Sequence, residues 1–136
     1  MRTPDQIMME SKTIAVVGLS PEPDRPSYEV AKYLQEHGYR IIPVNPGYRE
    51  VLGEISYPSL KAIPTPVDLV DVFRRPDAVV PIAEEAVSIG AKAFWLQLGI
   101  VNQEAARIAR EGGLNVVMDA CTKVVHQALR SRWGAR

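Results

Sequence analysis

One stretch near the start of the chain, residues 13–48, constrains the fold more than any other. It reads TIAVVGLSPEPDRPSYEVAKYLQEHGYRIIPVNPGY: an apolar β-branched segment, a loop rich in glycine, serine and proline, an amphipathic segment and a second apolar segment. This order is typical of the first half of a nucleotide-binding α/β unit. It predicts a strand over residues 14–17 ended by Gly18, a helix from near Ser27 to Gly38, and a parallel strand over residues 41–44.

The rest of the chain continues the alternation of apolar runs and amphipathic segments. It predicts strands over residues 67–73, 93–98 and 116–118, and helices over residues 79–90, 102–112 and from 119 onward. In a doubly wound order, the strand over residues 67–73 lies beside the first strand, on the side away from the second. We therefore expect a single α/β domain over residues 1–136, with a Rossmann-type doubly wound parallel sheet of five or six strands in a three-layer α/β/α arrangement.

Shorter elements are expected between these. Thr3 followed by Pro4 predicts an N-cap and a short helix through Met9. Residues 51–55 are interpreted as a short third strand, and residues 59–63 as one helical turn. The terminal helix is expected to pack inward through an apolar stripe of Cys121, Val124, Val125, Ala128 and Leu129.

The loop of residues 19–26 departs from the usual dinucleotide fingerprint. In G-x-G-x-x-G, the glycines allow a tight turn and a close approach to a pyrophosphate, and here only Gly18 is kept. The acidic residue that would bind the ribose 2′-OH of NAD is also missing, because Asn45 and Pro46 stand at the end of the second strand. Both departures weaken an interpretation as an NAD site.

The same loop nevertheless predicts an anion site. A loop that leads into a helix N-terminus presents free backbone N–H groups, and here it also carries the Ser20 and Ser27 hydroxyls with Arg25 beside them. The alternative is an ordinary strand–loop–helix corner in which Ser27 is an N-cap. Arg74 and Arg75 follow the strand over residues 67–73, so they are expected to face this loop and to bind phosphates; alternatively, they form an exposed basic turn paired to Asp77 or Glu84.

Several segments together resemble the CoA-binding domain family of small bacterial proteins, which is similar to the CoA-binding domain of the succinyl-CoA synthetase α subunit. They are GLSPEPDRPSYEVAKYLQEHGYRIIPVNP, DVFRRP, FWLQLGI and VMDACTK, and they follow one another through nearly all of the chain. The resemblance implies a Rossmann-type fold that binds CoA, with the glycine–serine loop on the pyrophosphate. Family members usually carry an arginine and a glutamate where this chain has Ala120 and Val125, so no role is assigned to those two positions.

From the resemblance together with these residues, we expect the chain to bind CoA or a short acyl-CoA as a non-catalytic module. The pyrophosphate would lie on Gly18, Leu19, Ser20, Arg25, Pro26 and Ser27, the adenosine side would be shaped by Asn45 and Pro46, and Arg74 and Arg75 would add charge. Gln97 and Gly99 end a strand at the same crevice, where Gln97 either binds a pantetheine amide or caps a loop carbonyl. The alternatives are an NAD(P)-dependent oxidoreductase, an accessory subunit of an acyl-CoA ligase, or an interaction protein that uses the ligand as a regulatory signal.

Composition and isolated residues limit other functions. Sixteen basic and sixteen acidic residues cancel, so there is no basic field for nucleic acid, and no apolar run is long enough for a membrane span. A single cysteine excludes an intrachain disulfide and fits a reducing cytoplasm. Cys121 is interpreted as core or as a reactive thiol, His37 as a helix C-terminal partner and Asp119 as an N-cap, whereas no metal or catalytic arrangement is expected around His126.

Overall fold

The computed structural model describes residues 1–133. Its helices are α1 (Pro4–Glu10), α2 (Pro26–Glu36), α3 (Val80–Ser88), α4 (Gln103–Glu111) and α5 (Thr122–Trp133). Its strands are β1 (Thr13–Val17), β2 (Arg40–Val44), β3 (Glu50–Val51), β4 (Glu54–Ile55), β5 (Leu69–Val72), β6 (Ala93–Leu96) and β7 (Asn115–Val117). Single 3₁₀ turns lie at Leu60–Ala62 and Pro76–Ala78, and the first of these confirms the turn expected over residues 59–63.

The main sheet has five parallel strands in the order β2-β1-β5-β6-β7. Val17 at the end of β1 pairs with Val44 on one side and with Val72 on the other. The chain therefore moves outward from β1 to β2, returns past β1 to β5, and continues in the opposite direction. This reversal opens a crevice between β1 and β5 at the carboxyl ends of the strands, and the predicted doubly wound parallel sheet is confirmed.

Helices cover both faces of this sheet. On one face, α3 and α4 pack small side chains such as Ala83, Ala86 and Ala105 against the strands. On the other face, α1, α2 and α5 contribute Met8, Leu34 and Leu129. Because both faces are covered, the strand interiors are almost entirely apolar, and the predicted three-layer α/β/α arrangement is confirmed.

Local sequence signals define where the helices begin. The Thr3 hydroxyl accepts the Gln6 N–H while the Gln6 side chain accepts the Thr3 N–H, a complete capping box ahead of Pro4. The Asn102 side chain accepts the Ala105 N–H at 2.9 Å at the start of α4. The N-terminal and Asn102-capped helices are therefore where the sequence predicted them.

The prediction of one strand over residues 51–55 is wrong. The segment forms a two-stranded antiparallel hairpin, in which β3 pairs with β4. Leu52 and Gly53 connect the strands with φ values of 54° and 75°. Two consecutive left-handed residues produce the tight turn that joins hairpin strands, so the chain reverses direction here instead of continuing as one strand.

The inward stripe predicted for α5 is also partly wrong. Val124 is 57% exposed and Ala128 is exposed, whereas Thr122, His126 and Leu129 are buried. The helix begins at Thr122, so Asp119 lies outside it and is not its N-cap. Polar contacts fix the rotation of the helix: Thr122 bonds to Asp71 within the sheet, and His126 Nδ1 lies 2.7 Å from the Tyr33 hydroxyl.

Candidate functional site

The candidate site is the crevice at the carboxyl ends of the strands, with a volume of about 610 Å³. Its walls come from the loops that follow β1, β2, β5, β6 and β7, together with the first turns of α2. The lining residues are Gly18, Ser20, Glu22, Arg25, Pro26, Ser27, Val30, Asn45, Tyr48, Phe73, Arg74, Arg75, Gln97, Leu98, Ile100 and Cys121. The structure therefore brings together nine of the twelve residues that the sequence suggested: Gly18, Ser20, Arg25, Pro26, Ser27, Asn45, Arg74, Arg75 and Gln97.

Gly18 allows the loops after β1 and β5 to approach each other closely. Its φ of +87° lies in the left-handed region. A Cβ atom at this position would lie 2.3 Å from the Phe73 carbonyl oxygen and 3.3 Å from Arg74 Nε. The glycine is therefore required both by the backbone conformation and by the space that Arg74 occupies.

The two serines fold the loop onto the start of α2. Ser27 Oγ accepts the Ser20 N–H at 3.0 Å, and Ser20 Oγ accepts the Glu22 N–H at 3.1 Å. The residue that caps the helix is Arg25, which makes no side-chain hydrogen bond to the first turn. The interpretation of Ser27 as the N-cap is therefore wrong, and the backbone N–H groups of the first turn receive no side-chain cap from Arg25.

The three arginines of the crevice differ in their surroundings. Arg25 Nε pairs with Glu22 at 3.1 Å, and Arg75 Nε pairs with Asp77 at 3.4 Å. Arg74 is half-buried, and among residues 1–133 no carboxylate oxygen lies within 4.0 Å of its guanidinium nitrogens. Arg74 is thus the arginine whose charge is best placed to meet an anion in the crevice.

The Asn45 side chain connects the loops that follow β1 and β2. Its Nδ2 donates to the Leu19 carbonyl at 3.1 Å, and its Oδ1 accepts the Gly47 N–H at 3.0 Å. The Leu19 side chain is fully buried in the core, so only its backbone faces the loop. Pro46 lies in a neighbouring depression with Tyr48 and Arg49, outside the crevice lining.

Gln97 forms a buried polar network beneath the crevice. Its Nε2 donates to Asp71 Oδ1 at 2.6 Å and to Thr122 Oγ1 at 2.9 Å, and the Thr122 hydroxyl donates to Asp71 Oδ2 at 3.0 Å. Burial raises the pKa of Asp71 to about 7, although the hydrogen bonds from Gln97 and Thr122 oppose this shift. A titratable group therefore lies directly behind a residue of the crevice wall.

The remaining candidates have structural partners. Gly99, which is outside the crevice lining, donates its N–H to Asp119 Oδ1 at 2.8 Å and so joins the loops after β6 and β7. His37 ends α2, where its Nδ1 donates to the Tyr33 carbonyl at 2.7 Å, as expected for a helix C-terminal partner. Cys121 is half-buried and lines the crevice.

Sequence reasoning missed part of the site. Tyr48, Phe73, Leu98 and Ile100 line the crevice but have no special pattern in the sequence. Asp71 was detectable, because an acidic residue inside a continuous apolar run must be buried when the strand is covered on both faces. In the part of the chain that the structure describes, no group of three His, Cys, Asp or Glu side chains could hold a metal ion, and no helix is long and apolar enough to span a membrane.

The chain is similar to proteins of known family. Residues 12–127 match the family described as CoA binding domain. The chain is 50% identical over 121 residues to the uncharacterized protein YneT of Bacillus subtilis strain 168. This match covers 89% of this chain and 90% of YneT. It is 47% identical over 124 residues to the acetate–CoA ligase (ADP-forming) II subunit alpha of Pyrococcus furiosus, covering 83% of this chain but only 27% of the ligase subunit.

A solved structure extends the similarity to the fold. A hypothetical protein from Pyrococcus horikoshii OT3 superposes with a TM-score of 0.90 at 42% sequence identity, over 94% of this chain and 92% of that one. The Rossmann-like fold is therefore shared with that protein.

Proposed function

The chain belongs to the CoA binding domain family, and on this premise we propose that its crevice binds CoA or a short acyl-CoA without catalysing a reaction. The observation that carries the proposal is the crevice at the β1–β5 reversal, where the Gly18 loop and the start of α2 face the half-buried Arg74. Ligands of open α/β sheets bind at such reversals.

The diphosphate is proposed to lie on the loop side of the crevice. The first turn of α2 offers backbone N–H groups and the positive end of the helix dipole, and Arg74 supplies a full charge. A charge-assisted hydrogen bond contributes about 1.5–3 kcal/mol, compared with about 0.3–1 kcal/mol for a charge at a helix terminus. Arg74 is therefore expected to contribute more to phosphate affinity than the helix does.

The pantetheine arm is proposed to run from the loop toward the other side of the crevice. That side is lined by the apolar side chains of Phe73, Leu98 and Ile100. Leu98 is 66% exposed, so an apolar part of the ligand would cover its side chain in the complex. The division into a polar side and an apolar side matches the chemistry of CoA.

NAD is not expected to bind in the same way. A carboxylate at the end of the second strand normally accepts hydrogen bonds from the ribose hydroxyls of NAD. Here the position holds Asn45, and both polar atoms of its side chain are engaged with the backbone. Binding of NAD or NADP in place of CoA is therefore the outcome that competes with the proposal.

Thermal unfolding in the presence of different ligands tests the proposal. CoA or acetyl-CoA at about one hundred times its Kd is expected to stabilise the protein by roughly 2.7 kcal/mol, which raises the Tm by several degrees. NAD, NADP and ATP at the same concentration are the comparison ligands. A shift with NAD or NADP but none with CoA would overturn the proposal.

A pair of arginine variants sharpens the test. Arg74→Ala is expected to weaken CoA binding by about tenfold or more, because it removes a charge-assisted contact of roughly 1.5–3 kcal/mol. Arg75→Ala is the matched control, since Arg75 is exposed and already paired with Asp77. Isothermal titration of both variants with CoA measures the difference, and equal affinities would remove Arg74 from the proposed site.

The similarity to a ligase subunit favours a second candidate, in which the chain supplies the CoA site of a ligase completed by another protein. The chain spans 27% of the Pyrococcus furiosus subunit, so the activity of that whole protein is not transferred to it. We expect the chain alone to form no ATP from acetyl-CoA, ADP and phosphate. ATP formation by the purified chain would contradict the non-catalytic proposal.

A further inference from the structure

The polar network beneath the crevice fixes the direction of the Gln97 amide. The Thr122 hydroxyl has one hydrogen, and it is donated to Asp71 Oδ2, so Thr122 can only accept from Gln97. When Asp71 is ionised, its other carboxylate oxygen is likewise an acceptor. Both contacts of Gln97 with the network therefore require its NH₂ group, whose two hydrogens are used on Asp71 Oδ1 and Thr122 Oγ1.

The oxygen of the same amide is left facing the crevice. Gln97 is only 4% exposed, yet it belongs to the crevice lining. Among residues 1–133, Gln97 Oε1 has no hydrogen-bond partner and is not enclosed by protein. A side chain that is more than nine-tenths buried thus points one unused acceptor at the ligand space, and buried acceptors require a donor.

We infer that Asp71 and Thr122 are positioning residues that hold Gln97 with its amide oxygen toward the crevice, so that the ligand group lying over β6 must be an N–H donor. The inference rests on the proposed function and deepens it. In CoA and acyl-CoA, the matching groups are the two secondary amides of the pantetheine arm.

The position of Gln97 along the sheet fits that assignment. Gln97 follows β6, which is separated from β1 by β5 alone. With neighbouring strands about 4.8 Å apart, Gln97 lies about 10 Å along the edge from the end of β1 and the Gly18 loop. A ligand arm that starts at a diphosphate on that loop therefore reaches Gln97 after passing Phe73 and Arg74, which follow β5.

CoA analogues provide the first test. Two analogues are compared with CoA by isothermal titration at about pH 8, where Asp71 is ionised. Each has one pantetheine amide N–H replaced by a methylene group, so that the chain length and the carbonyl are kept. One of them is expected to bind the unmodified protein about three- to tenfold more weakly than CoA, the range for one hydrogen bond. Equal affinities for CoA and both analogues would overturn the inference.

Variants then distinguish the contact of Gln97 with the ligand from the orientation of Gln97 by Asp71 and Thr122. Gln97→Met keeps the size of the side chain but removes the acceptor, so CoA and the discriminated analogue are expected to bind it equally. The double variant Asp71→Leu with Thr122→Val is expected to do the same, because Gln97 loses both groups that orient it. Thr122→Ser keeps the hydroxyl and leaves both Asp71 acceptors in place, so it is expected to retain the preference for CoA.

Three controls keep the outcomes distinct. ADP, which lacks the pantetheine arm, is expected to bind the unmodified protein and all variants alike. Circular dichroism and Tm report folding, and if the double variant does not fold, the analogue series and Gln97→Met still decide. Failure of the unmodified protein to bind CoA would overturn both proposals, whereas CoA binding without discrimination by Gln97 would overturn this inference alone.

Discussion

Two aspartates that are three residues apart differ because they lie at opposite ends of the same strand. Asp68 precedes β5 at the edge where the strands begin, the amino edge, and accepts the Lys12 and Thr13 N–H groups at 2.9 and 3.0 Å. Asp71 lies near the edge where the strands end, the carboxyl edge, and accepts from the side chains of Gln97 and Thr122. The first aspartate joins β5 to β1, whereas the second supports the crevice.

Their pKa values shift in opposite directions. Burial raises the pKa of Asp71 to about 7, and its two side-chain hydrogen bonds only moderate the effect. Burial also acts to raise the pKa of Asp68, but the backbone hydrogen bonds from Thr13 and Lys12 and the charge of Lys92 outweigh it and lower the pKa. Whether the pKa of a buried or half-buried aspartate rises or falls thus depends on how many hydrogen-bond donors and cations surround its carboxylate.

The largest expected effect comes from glycines at the two edges. Gly18→Ala at the carboxyl edge is expected to lower the free energy of unfolding by about 3 kcal/mol, because it combines an unfavourable φ with overlap against the Phe73 carbonyl. It should also displace Arg74 and abolish CoA binding. Gly38, which precedes β2 at the amino edge, has a φ of +95°, and no atom lies within 4 Å of a Cβ added there. Gly38→Ala is therefore the control.

The Gly38→Ala control isolates the conformational cost, which we expect to be about 1 kcal/mol with CoA binding unchanged. Urea unfolding of the two variants measures the difference. A similar loss of stability in both would show that the close approach of Gly18 to β5 has no energetic importance.

The second prediction concerns the pH dependence of stability. The Asp71 carboxyl holds its proton up to about pH 7 in the folded protein, compared with an ordinary value of 3.8. The folded state therefore binds more protons between these values, and the contribution of Asp71 makes the free energy of unfolding fall as the pH rises from about 4 to about 7. Asp71→Asn is expected to remove this slope and to raise stability above pH 7 by about 1–3 kcal/mol.

Urea unfolding of the unmodified protein and Asp71→Asn at several pH values between 4 and 8 checks this expectation. Parallel curves for the two proteins would show that Asp71 does not titrate in this range.

The third prediction applies to the amino edge. Asp68→Ala leaves the Lys12 and Thr13 N–H groups without their carboxylate, and we expect a loss of about 1–2 kcal/mol at neutral pH. Because the pKa of Asp68 is lowered in the folded state, its contribution is present above pH 3.8 and is lost as the pH falls through the lowered value. The difference in free energy of unfolding between Asp68→Ala and the unmodified protein should therefore shrink in acid, which urea unfolding at several pH values measures. The contribution of Asp71 has the opposite pH dependence. A difference that grows in acid would contradict the prediction for Asp68.

The smallest expected effect is that of the cation beside Asp68. Lys92 Nζ lies 3.5 Å from Asp68 Oδ1, but the lysine side chain is 79% exposed. Lys92→Ala is expected to lower stability by less than about 1 kcal/mol, and by less still in high salt. Urea unfolding at low and high ionic strength checks this; a loss as large as that of Asp68→Ala would mean that the cation, and not the backbone N–H groups, stabilises this carboxylate.

The sequence predicted those features that depend on local periodicity. The stripe of Val30, Ala31 and Leu34 is buried against the sheet, because residues at helical spacing share one face whatever their partners are. The hairpin at Leu52 and Gly53 was missed, since a leucine with a positive φ is rarely indicated by its sequence. The face of α5 was mistaken because Thr122 is drawn inward by Asp71, a partner 51 residues away.

The same division applies to the site. The Gly18 turn, the proline at the start of α2 and the arginines after β5 follow from residue types at fixed spacing, so the sequence by itself determined the crevice and its polar side. Only the tertiary structure decided that Arg75 is paired with Asp77 while Arg74 lies beside the loop, and that Gln97 is held from behind by Asp71 and Thr122. The physical reason is that backbone conformation and periodicity are local properties, whereas hydrogen bonding and burial depend on side chains that only the folded sheet brings together.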